Sequence, residues 1–436
     1  MQFTSEQRDA IFTHDRNLIV TAGAGSGKTR VLVERFLALL DRHPDWALPS
    51  VVAITFTEKA AREMRDRVRR AIEARITRAV QDRDRPALEM WLAHQAALNM
   101  ARIGTIHALC ASILRANPAA ARLDPAFEVL DENEAAILLD DAVETALARL
   151  VHEDRAASAL LAAYGVRTVR TVLQTVAGGS QADMALAALD LSPEDLLARW
   201  QAQWSDAMVD VMAEARANAV LREALAWAPE SGWPADGDDK LMINWALVHD
   251  HVPALVGDEP DAFIDAVQAL AAGINRSGGK AANWGGKAGK GACSAALKVI
   301  QEWAKGFRAL PRPGERDAEA AEWLLLWRDA IQLAADTYTR LKHDRAALDF
   351  DDLERRTRDL LEEHPDVATR YQRDFRHVLV DEFQDTNDAQ RRIIYRLAGI
   401  GEPLADGRLF VVGDPKQSIY AFRGADVSVF GAVRAD

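Results

Sequence analysis

The octapeptide Ala22–Thr29, AGAGSGKT, constrains this chain more than any other stretch. It lies between an apolar run that reads as a strand (Asn17–Thr21, NLIVT) and a helical pattern (Thr29–Leu40). A glycine-rich turn in that setting lets backbone N–H groups converge on an anion, and the helix that follows adds the partial positive charge of its N-terminus. The strict form of the pattern opens with glycine, and here that position is Ala22. Gly23, Ala24, Gly25, Ser26 and Gly27 keep the loop small, and Lys28 and Thr29 close it. Phosphate is the anion that suits this arrangement, with Lys28 reaching β- and γ-phosphates and the Thr29 hydroxyl ligating Mg²⁺. ATP and Mg²⁺ are therefore the expected ligands.

Three more apolar runs of the buried, parallel type each end at a polar cluster: Val51–Thr55 (VVAIT), His377–Asp381 (HVLVD) and Leu409–Gly413 (LFVVG). Arg102–Thr105 (RIGT) is a weaker fifth candidate. Helical stretches such as Lys59–Arg78 lie between them. Strand–loop–helix repetition of this kind specifies an α/β domain with a parallel sheet, whose ligands sit at the carboxyl ends of the strands. Asp381 and Glu382 end one such strand. An Asp there can hold Mg²⁺ opposite Thr29, and the neighbouring carboxylate can orient and deprotonate an attacking water.

These two motifs must meet in space, yet Glu382 lies 354 positions after Lys28. A single nucleotide-binding domain rarely needs more than ~200 residues, so the middle of the chain reads as an insert. From about Pro118 to Leu348 the sequence is Ala-rich, helical in pattern and holds most of the tryptophans. Trp200, Trp204, Trp227, Trp245, Trp303, Trp323 and Trp327 are expected to be packing anchors of a helical domain rather than base-stacking platforms. Within it, Ser277–Ala292 (SGGKAANWGGKAGKGA) has the composition of a mobile loop, with contact to phosphate as the alternative.

Composition narrows the class further. The net charge of −13 argues against a surface that is basic throughout, although a local groove suffices for nucleic acid. Cys110 and Cys293, the only cysteines, are too far apart in sequence to suggest a disulfide scaffold or a Cys-rich metal site. No secretory signal or membrane-length apolar run is evident, so a soluble, cytoplasmic protein is expected. Lys59–Arg78 carries eight basic against three acidic residues, which reads as a solvated helix face.

Taken in order, the motifs resemble those of UvrD-like helicases of superfamily 1, and they run from Phe3 to Asp426. Phe3–Gln7 (FTSEQ) is similar to the adenine-reading Q motif. Ile54–Met64 (ITFTEKAAREM) is similar to motif Ia, Gly104–His107 (GTIH) to motif Ib, Asp381–Asn387 (DEFQDTN) to motif II and Gly413–Asp426 (GDPKQSIYAFRGAD) to motif III. Asp349–Leu353 (DFDDL) is similar to the stretch where that family returns from its inserted 1B domain. The long insert and ILRANP after motif Ib resemble AddA/RecB-type recombination helicases more than compact UvrD or Rep.

The resemblance implies a RecA-like domain 1A in two parts, 1–117 and 349–436, interrupted by an all-α domain 1B at 118–348. It implies that Gln7 contacts the base and Gln417 senses the γ-phosphate. It also implies a DNA track with Phe56, Thr57, Lys59, Thr105, His107, Tyr420 and Phe422. Core packing is the alternative for Phe56 and Phe422, and His107 reads equally as a structural hydrogen-bonding residue. Arg423 either contacts DNA or buttresses its motif. The implied activity is ATP hydrolysis coupled to 3′-to-5′ movement on single-stranded DNA in repair or recombination, at junctions or duplex ends. The expectation is completed by the absence of any membrane and by a partner nuclease/helicase subunit.

In that family motifs IV to VI lie on a second RecA-like domain, whose arginines are typically worth ~10³–10⁵ in rate. Residues 1–436 by themselves are thus expected to turn over ATP slowly and not to unwind processively. A different class, a nucleotide-dependent binding module that uses ATP as a switch, remains the competing reading. An unrelated P-loop kinase or GTPase leaves motif Ia and the aromatic residues of motif III unexplained.

Overall fold

The structure, a computed structural model, describes residues 3–23, 25–153, 155–399 and 407–414. The chain divides into two compact units. One comprises 1–149, 170–183 and 332–436, and the other 150–169 and 184–331. Among the described residues no helix is long and apolar enough to cross a membrane.

The first unit is built on five parallel strands: β1 (Leu18–Thr21), β2 (Val51–Thr55), β3 (Arg102–Thr105), β4 (His377–Val380) and β5 (Leu409–Gly413), in the order β1-β5-β4-β2-β3. The apolar character of the three central strands, β2, β4 and β5, follows from burial on both faces, whereas β1 and β3 at the flanks are only partly buried. Val51, Ala53, Ile103, Leu379, Phe410 and Val412 pack with Phe36, Leu37, Met64 and Val68 on one side. Val52, Ile54, Val378, Val380, Leu409 and Val411 pack with Leu114, Leu353, Leu360 and Ile394 on the other. Alternate residues along each strand feed opposite cores, which is why the sequence runs are nearly continuous rather than alternating.

Register fixes where the motifs emerge. Thr21 pairs with Gly413, Val380 with Val411, Ile54 with Val380, and Thr55 with Thr105. All five strands therefore end at one edge, and the residues that follow each strand are brought to that edge together.

The return of the chain to the sheet is held by a buried ionic cluster. Lys342 Nζ donates to Asp349 Oδ2 at 2.7 Å and also to Asp352, and the Tyr338 hydroxyl donates to Asp349 at 2.9 Å. Asp349 and Asp352 form a reciprocal capping box at the start of the helix Phe350–Glu363. Burial pushes the Asp349 carboxyl up, but the Lys342 ammonium and these hydrogen bonds hold it below its ordinary value. The acidic DFDDL stretch is thus a helix cap and an ion-pair partner at the same time.

The second unit is helical and has its own core, including Met208, Met212, Leu241, Trp245, Phe263, Leu270, Trp284 and Leu297. The tryptophans pack as the sequence predicts. Trp227 stacks on Trp245 at 5.2 Å, Trp303 lies edge-on to Phe263, and Trp323 and Trp327 meet Tyr164 edge-on. Trp204 Nε1 donates to the Leu310 carbonyl at 3.0 Å, and Trp200 is half-buried. Both cysteines are free and buried, and burial pushes the Cys110 thiol up to about 12 and Cys293 to about 11.

The expectation of a mobile loop at 277–292 is corrected. This segment contains the 3₁₀ turn Ala281–Trp284 and the start of the helix Lys287–Gly306. Its organiser is Asp239, 3% exposed. The Asp239 carboxylate accepts from the backbone N–H of Leu241 (2.9 Å) and Lys280 (2.8 Å), from Asn283 Nδ2 (3.1 Å) and from Trp284 Nε1 (3.2 Å). Glycine at position 289 answers a close approach, because a Cβ there would run into the Trp284 carbonyl. Lys280 pairs with Asp236, and Lys290 donates to the Gly279 carbonyl, so these two cations serve the local fold.

Removing the Asp239 carboxylate leaves several buried donors unpaired. Asp239→Ala should destabilise the helical unit by about 2–4 kcal/mol, read by urea unfolding followed through tryptophan fluorescence. Burial pushes this carboxyl up and the hydrogen bonds more than offset it, so its pKa is lowered from 3.8. Its contribution is present above that value and is lost as pH falls through the lowered one, so wild type and variant should converge in strong acid. A variant as stable as wild type at pH 7 would remove Asp239 as the organiser.

Candidate nucleotide site and strand edge

The phosphate-loop sequence forms the turn its composition requires. Gly25 and Gly27 have φ of 76° and 84°, in the left-handed region where a side chain would be strained. Ala22 is not among the positive-φ residues, which explains why alanine is tolerated where the strict pattern has glycine. Its N–H donates to the Gly413 carbonyl at 3.2 Å and so continues the β1–β5 ladder into the loop. Ser26 Oγ closes the turn on the Gly23 carbonyl at 2.8 Å. The helix Lys28–Arg42 then begins with Gly27 as its N-cap and no side-chain cap. Open N–H groups at a glycine-lined helix start suit a phosphate.

Gln7 sits beside this loop. Its side chain and Thr4 form a reciprocal capping box on the helix Ser5–Phe12, and its Nε2 donates to the Ser26 carbonyl at 3.0 Å. The far end of that helix is held by Arg35, which is fully buried. The Arg35 guanidinium donates to the carbonyls of Ala10 (2.6 Å) and Thr13 (2.7 Å) and lies over the Phe410 ring. Burial lowers its pKa to about 10, so it remains charged at neutral pH. Sequence reasoning did not single it out. Its only signal is that it stands, beside Glu34, inside the largely apolar run VLVERFLALL.

Lys28 and Glu382 meet: Nζ donates to Oε2 at 2.9 Å, with the lysine side chain 10% exposed. Glu382 adopts φ 51°, a left-handed conformation that costs a non-glycine residue about 1–2 kcal/mol. Asp381 continues the strand ladder through its N–H to the Ile54 carbonyl at 2.9 Å. Burial, reinforced by the adjacent Glu382 carboxylate and only partly offset by Lys28, pushes its pKa up to about 6. A half-buried carboxylate of that kind is a good acceptor for a cation. Among the described residues no group of three or more His, Cys, Asp or Glu side chains could hold a metal. Asp381 offers a single carboxylate at this strand end, so a cation held there would have to draw its other ligands from phosphate and water rather than from a closed protein cage.

Gln384, which sequence reasoning left unassigned, is 2% exposed. Its Nε2 donates to Glu382 Oε2 at 2.9 Å and to Asp385 Oδ2 at 3.1 Å, while its Oε1 accepts from the Asp414 N–H at 2.8 Å. It ties the acidic turn to the end of β5.

On the β2–β3 side of the same edge stand Phe56, half-buried, Thr57, which caps the helix Glu58–Asp82, and Lys59, exposed. Thr105 caps the helix Ile106–Ala116, and its hydroxyl donates to Glu58 Oε1 at 2.9 Å. His107 Nε2 is 2.8 Å from Glu354 Oε1, and its ring stacks on Phe350. A carboxylate only accepts, so Nε2 carries the proton. Ala24, Gln417, Tyr420, Phe422 and Arg423 lie outside the described residues.

Comparison with known proteins agrees with this geometry. Residues 3–168 and 298–436 match the model of the UvrD/REP helicase N-terminal domain, with the break falling in the helical insert. The chain is similar to AddA, one of the subunits of the ATP-dependent helicase/nuclease, from Pelotomaculum thermopropionicum, at 31% identity over 98% of this chain and 35% of that protein. It is also similar to proteins of the same name from Exiguobacterium sibiricum (30%; 99% and 37%) and Desulforudis audaxviator (33%; 98% and 36%). The chain thus spans about a third of the length of the curated relatives it matches.

The raised Asp381 pKa is a stability statement as well. Its stabilising share is present below the ordinary value of 3.8 and is lost as pH rises through about 6. Asp381→Asn should therefore stabilise the ligand-free protein at pH 7.5 by about 1–3 kcal/mol, by about half as much at pH 5, and make little difference at about pH 3.5, below the ordinary value. The variant should also lose the thermal stabilisation that Mg²⁺ with nucleotide gives the wild type. Melting curves at these pH values, with and without ligand, check both statements. Equal melting at pH 7.5 would contradict the first.

Proposed function

The chain belongs to the UvrD/REP helicase family, and from that premise we propose that it is the ATP-binding front part of a DNA-translocating motor of the AddA type. The family implies ATP use. The observation that carries the reading is the single sheet edge that receives the phosphate loop, the acidic turn and the two strand-side segments, with Lys28 and Glu382 in direct contact.

In this reading the Lys28–Glu382 ion pair is the contact for which a phosphate competes. Phosphate draws the Lys28 ammonium away, and the released Glu382 carboxylate, steadied by Gln384, orients and deprotonates the attacking water. Thr29 and Asp381 are the residues that would hold Mg²⁺, which would supply positive charge against the phosphates of ATP. Gln7 has one Nε2 hydrogen committed to Ser26 and a second free for the base. The loop from Ala22 to Thr29 surrounds the phosphates, with the N–H groups left open at its helix start turned to them, and Gln417 reads the γ-phosphate.

DNA passes along the β2–β3 edge, contacted by Phe56, Thr57, Lys59, Thr105 and His107, with bases stacking on Tyr420 and Phe422 and Arg423 nearby. We further propose 3′-to-5′ polarity, a role in cytoplasmic DNA repair or recombination at junctions or duplex ends, and a partner nuclease/helicase subunit. The domain bounds 1–117, 118–348 and 349–436 belong to the same proposal.

Glu382→Gln in the intact protein separates a motor from a nucleotide-operated switch. Turnover should fall by ~10²–10⁴ with ATP affinity within a few-fold of wild type, and biological activity should be lost with it. Retained biological activity without turnover would favour the switch, and unchanged turnover would remove Glu382 as the base.

A further inference from the structure

Glu354 lies one residue beyond the DFDDL stretch, and its carboxylate is buried, with the residue 6% exposed. A buried carboxylate is costly unless its oxygens are satisfied, and this one accepts from three side chains on two separate segments. Oε1 accepts from His107 Nε2 at 2.8 Å and from Gln390 Nε2 at 2.6 Å, and Oε2 accepts from Asn387 Nδ2 at 2.8 Å. Burial pushes the Glu354 carboxyl up, but His107, Gln390 and Asn387 hold it below its ordinary value, so the accepting, ionised form persists.

The two segments are the ones that function requires to communicate. His107 follows the end of β3, and Thr105 in the same turn reaches Glu58 in the neighbouring strand-side segment. Asn387 caps the helix Asp388–Ala398 with its Oδ1 on the Gln390 N–H at 2.8 Å, and that helix directly follows the turn bearing Asp381 and Glu382. Hydrogen bonds, with the two-residue step of chain from Thr105 to His107 between them, thus connect Glu58 through Glu354 to the helix that follows the acidic turn. Glu354 itself contacts neither Lys28 nor Glu382 in any hydrogen bond described above.

We propose that Glu354 is a positioning residue that couples the strand-side turn to the acidic turn, so that single-stranded DNA arriving at Thr105–His107 raises the rate of ATP turnover. This rests on the motor reading. Both segments bond to the same buried carboxylate, so a rearrangement of that node by one would be felt by the other. The donor pattern also makes the test specific. Glu354→Gln keeps the shape but sets an NH₂ group against donors on every side. Adding Asn387→Asp restores an acceptor opposite the new amide, keeps the net charge, and preserves a good helix cap.

The experiment measures ATPase of the intact protein with and without saturating oligo-dT. Wild type should be stimulated. E354Q should keep its basal rate and ATP KM within about twofold and lose stimulation by roughly ten-fold or more, within the usual range of allosteric coupling. E354Q/N387D should recover a substantial part of it. Gln390→Leu, which removes one donor and leaves Glu354 in place, should lower stimulation a few-fold and serves if E354Q does not fold. Undiminished stimulation in E354Q, or in Q390L where E354Q fails to fold, overturns the inference. So does a basal rate that falls as far as the stimulated one, or a double variant no better than E354Q. A wild type that DNA does not stimulate overturns the motor reading and this inference with it.

Discussion

The parallel pairing of β4 with β2 and of β5 with β1 is the constraint on which the rest depends. The first two strands of the chain never touch; between them stand two strands that arrive only after the insert. The phosphate loop and the acidic turn can face one another only because β4 and β5 enter the sheet between β1 and β2, in register. The length of the detour is thermodynamically tolerable, because each doubling of a closed loop costs only ~0.6 kcal/mol. What must be specific is the re-entry, and the Lys342–Asp349–Asp352 cluster supplies that specificity at the point of return.

Polar groups inside this unit divide the work of holding the edge together. Arg35 secures the end of the helix that carries Gln7, Gln384 joins the acidic turn to the end of β5, and Glu354 joins it to the turn after β3. Each is buried and bonds segments far apart in sequence. Truncating any one would strand partners away from water, which is costlier than the net worth of the bond itself. The acidic turn carries tension of its own, in the left-handed Glu382 and the desolvated Asp381.

What could be read in advance was what is encoded locally. Val51–Thr55 and Leu409–Gly413 are strands at the bounds their apolar runs suggested, and Asn17–Thr21 and His377–Asp381 each lose one residue. RIGT, short and interrupted by glycine, is nonetheless β3, because pairing with β2 supplies what propensity lacks. The α/β class was legible from apolar runs that each end at a polar cluster, and the helical insert from the distance between two motifs that must meet and from the Ala-rich, helical pattern between them. The Gly/Lys segment misled because its composition is that of a linker, while its order comes from Asp239, some forty positions earlier. Glu354 and Arg35 were invisible for the same reason: a charge is recognisable as buried and partnered only once distant segments are assembled. His107, balanced between two readings, turns out to have a carboxylate partner and an aromatic one, which leaves its outward role to experiment.

The insert has a core of its own, and that matters while the chain is being made. Ribosomes extend a chain by about 5–20 residues per second, so between the emergence of Thr105 and that of His377 tens of seconds pass on that scale. During that interval Val51–Thr55, apolar on both faces, has β3 beside it but lacks the neighbour that will occupy its other flank. The helical unit, with Trp245 and Trp284 at its centre, can condense in the meantime from residues already available. The nascent protein thus can complete its inserted module before the sheet that began earlier, and the first strands stay incompletely paired until translation delivers their partners.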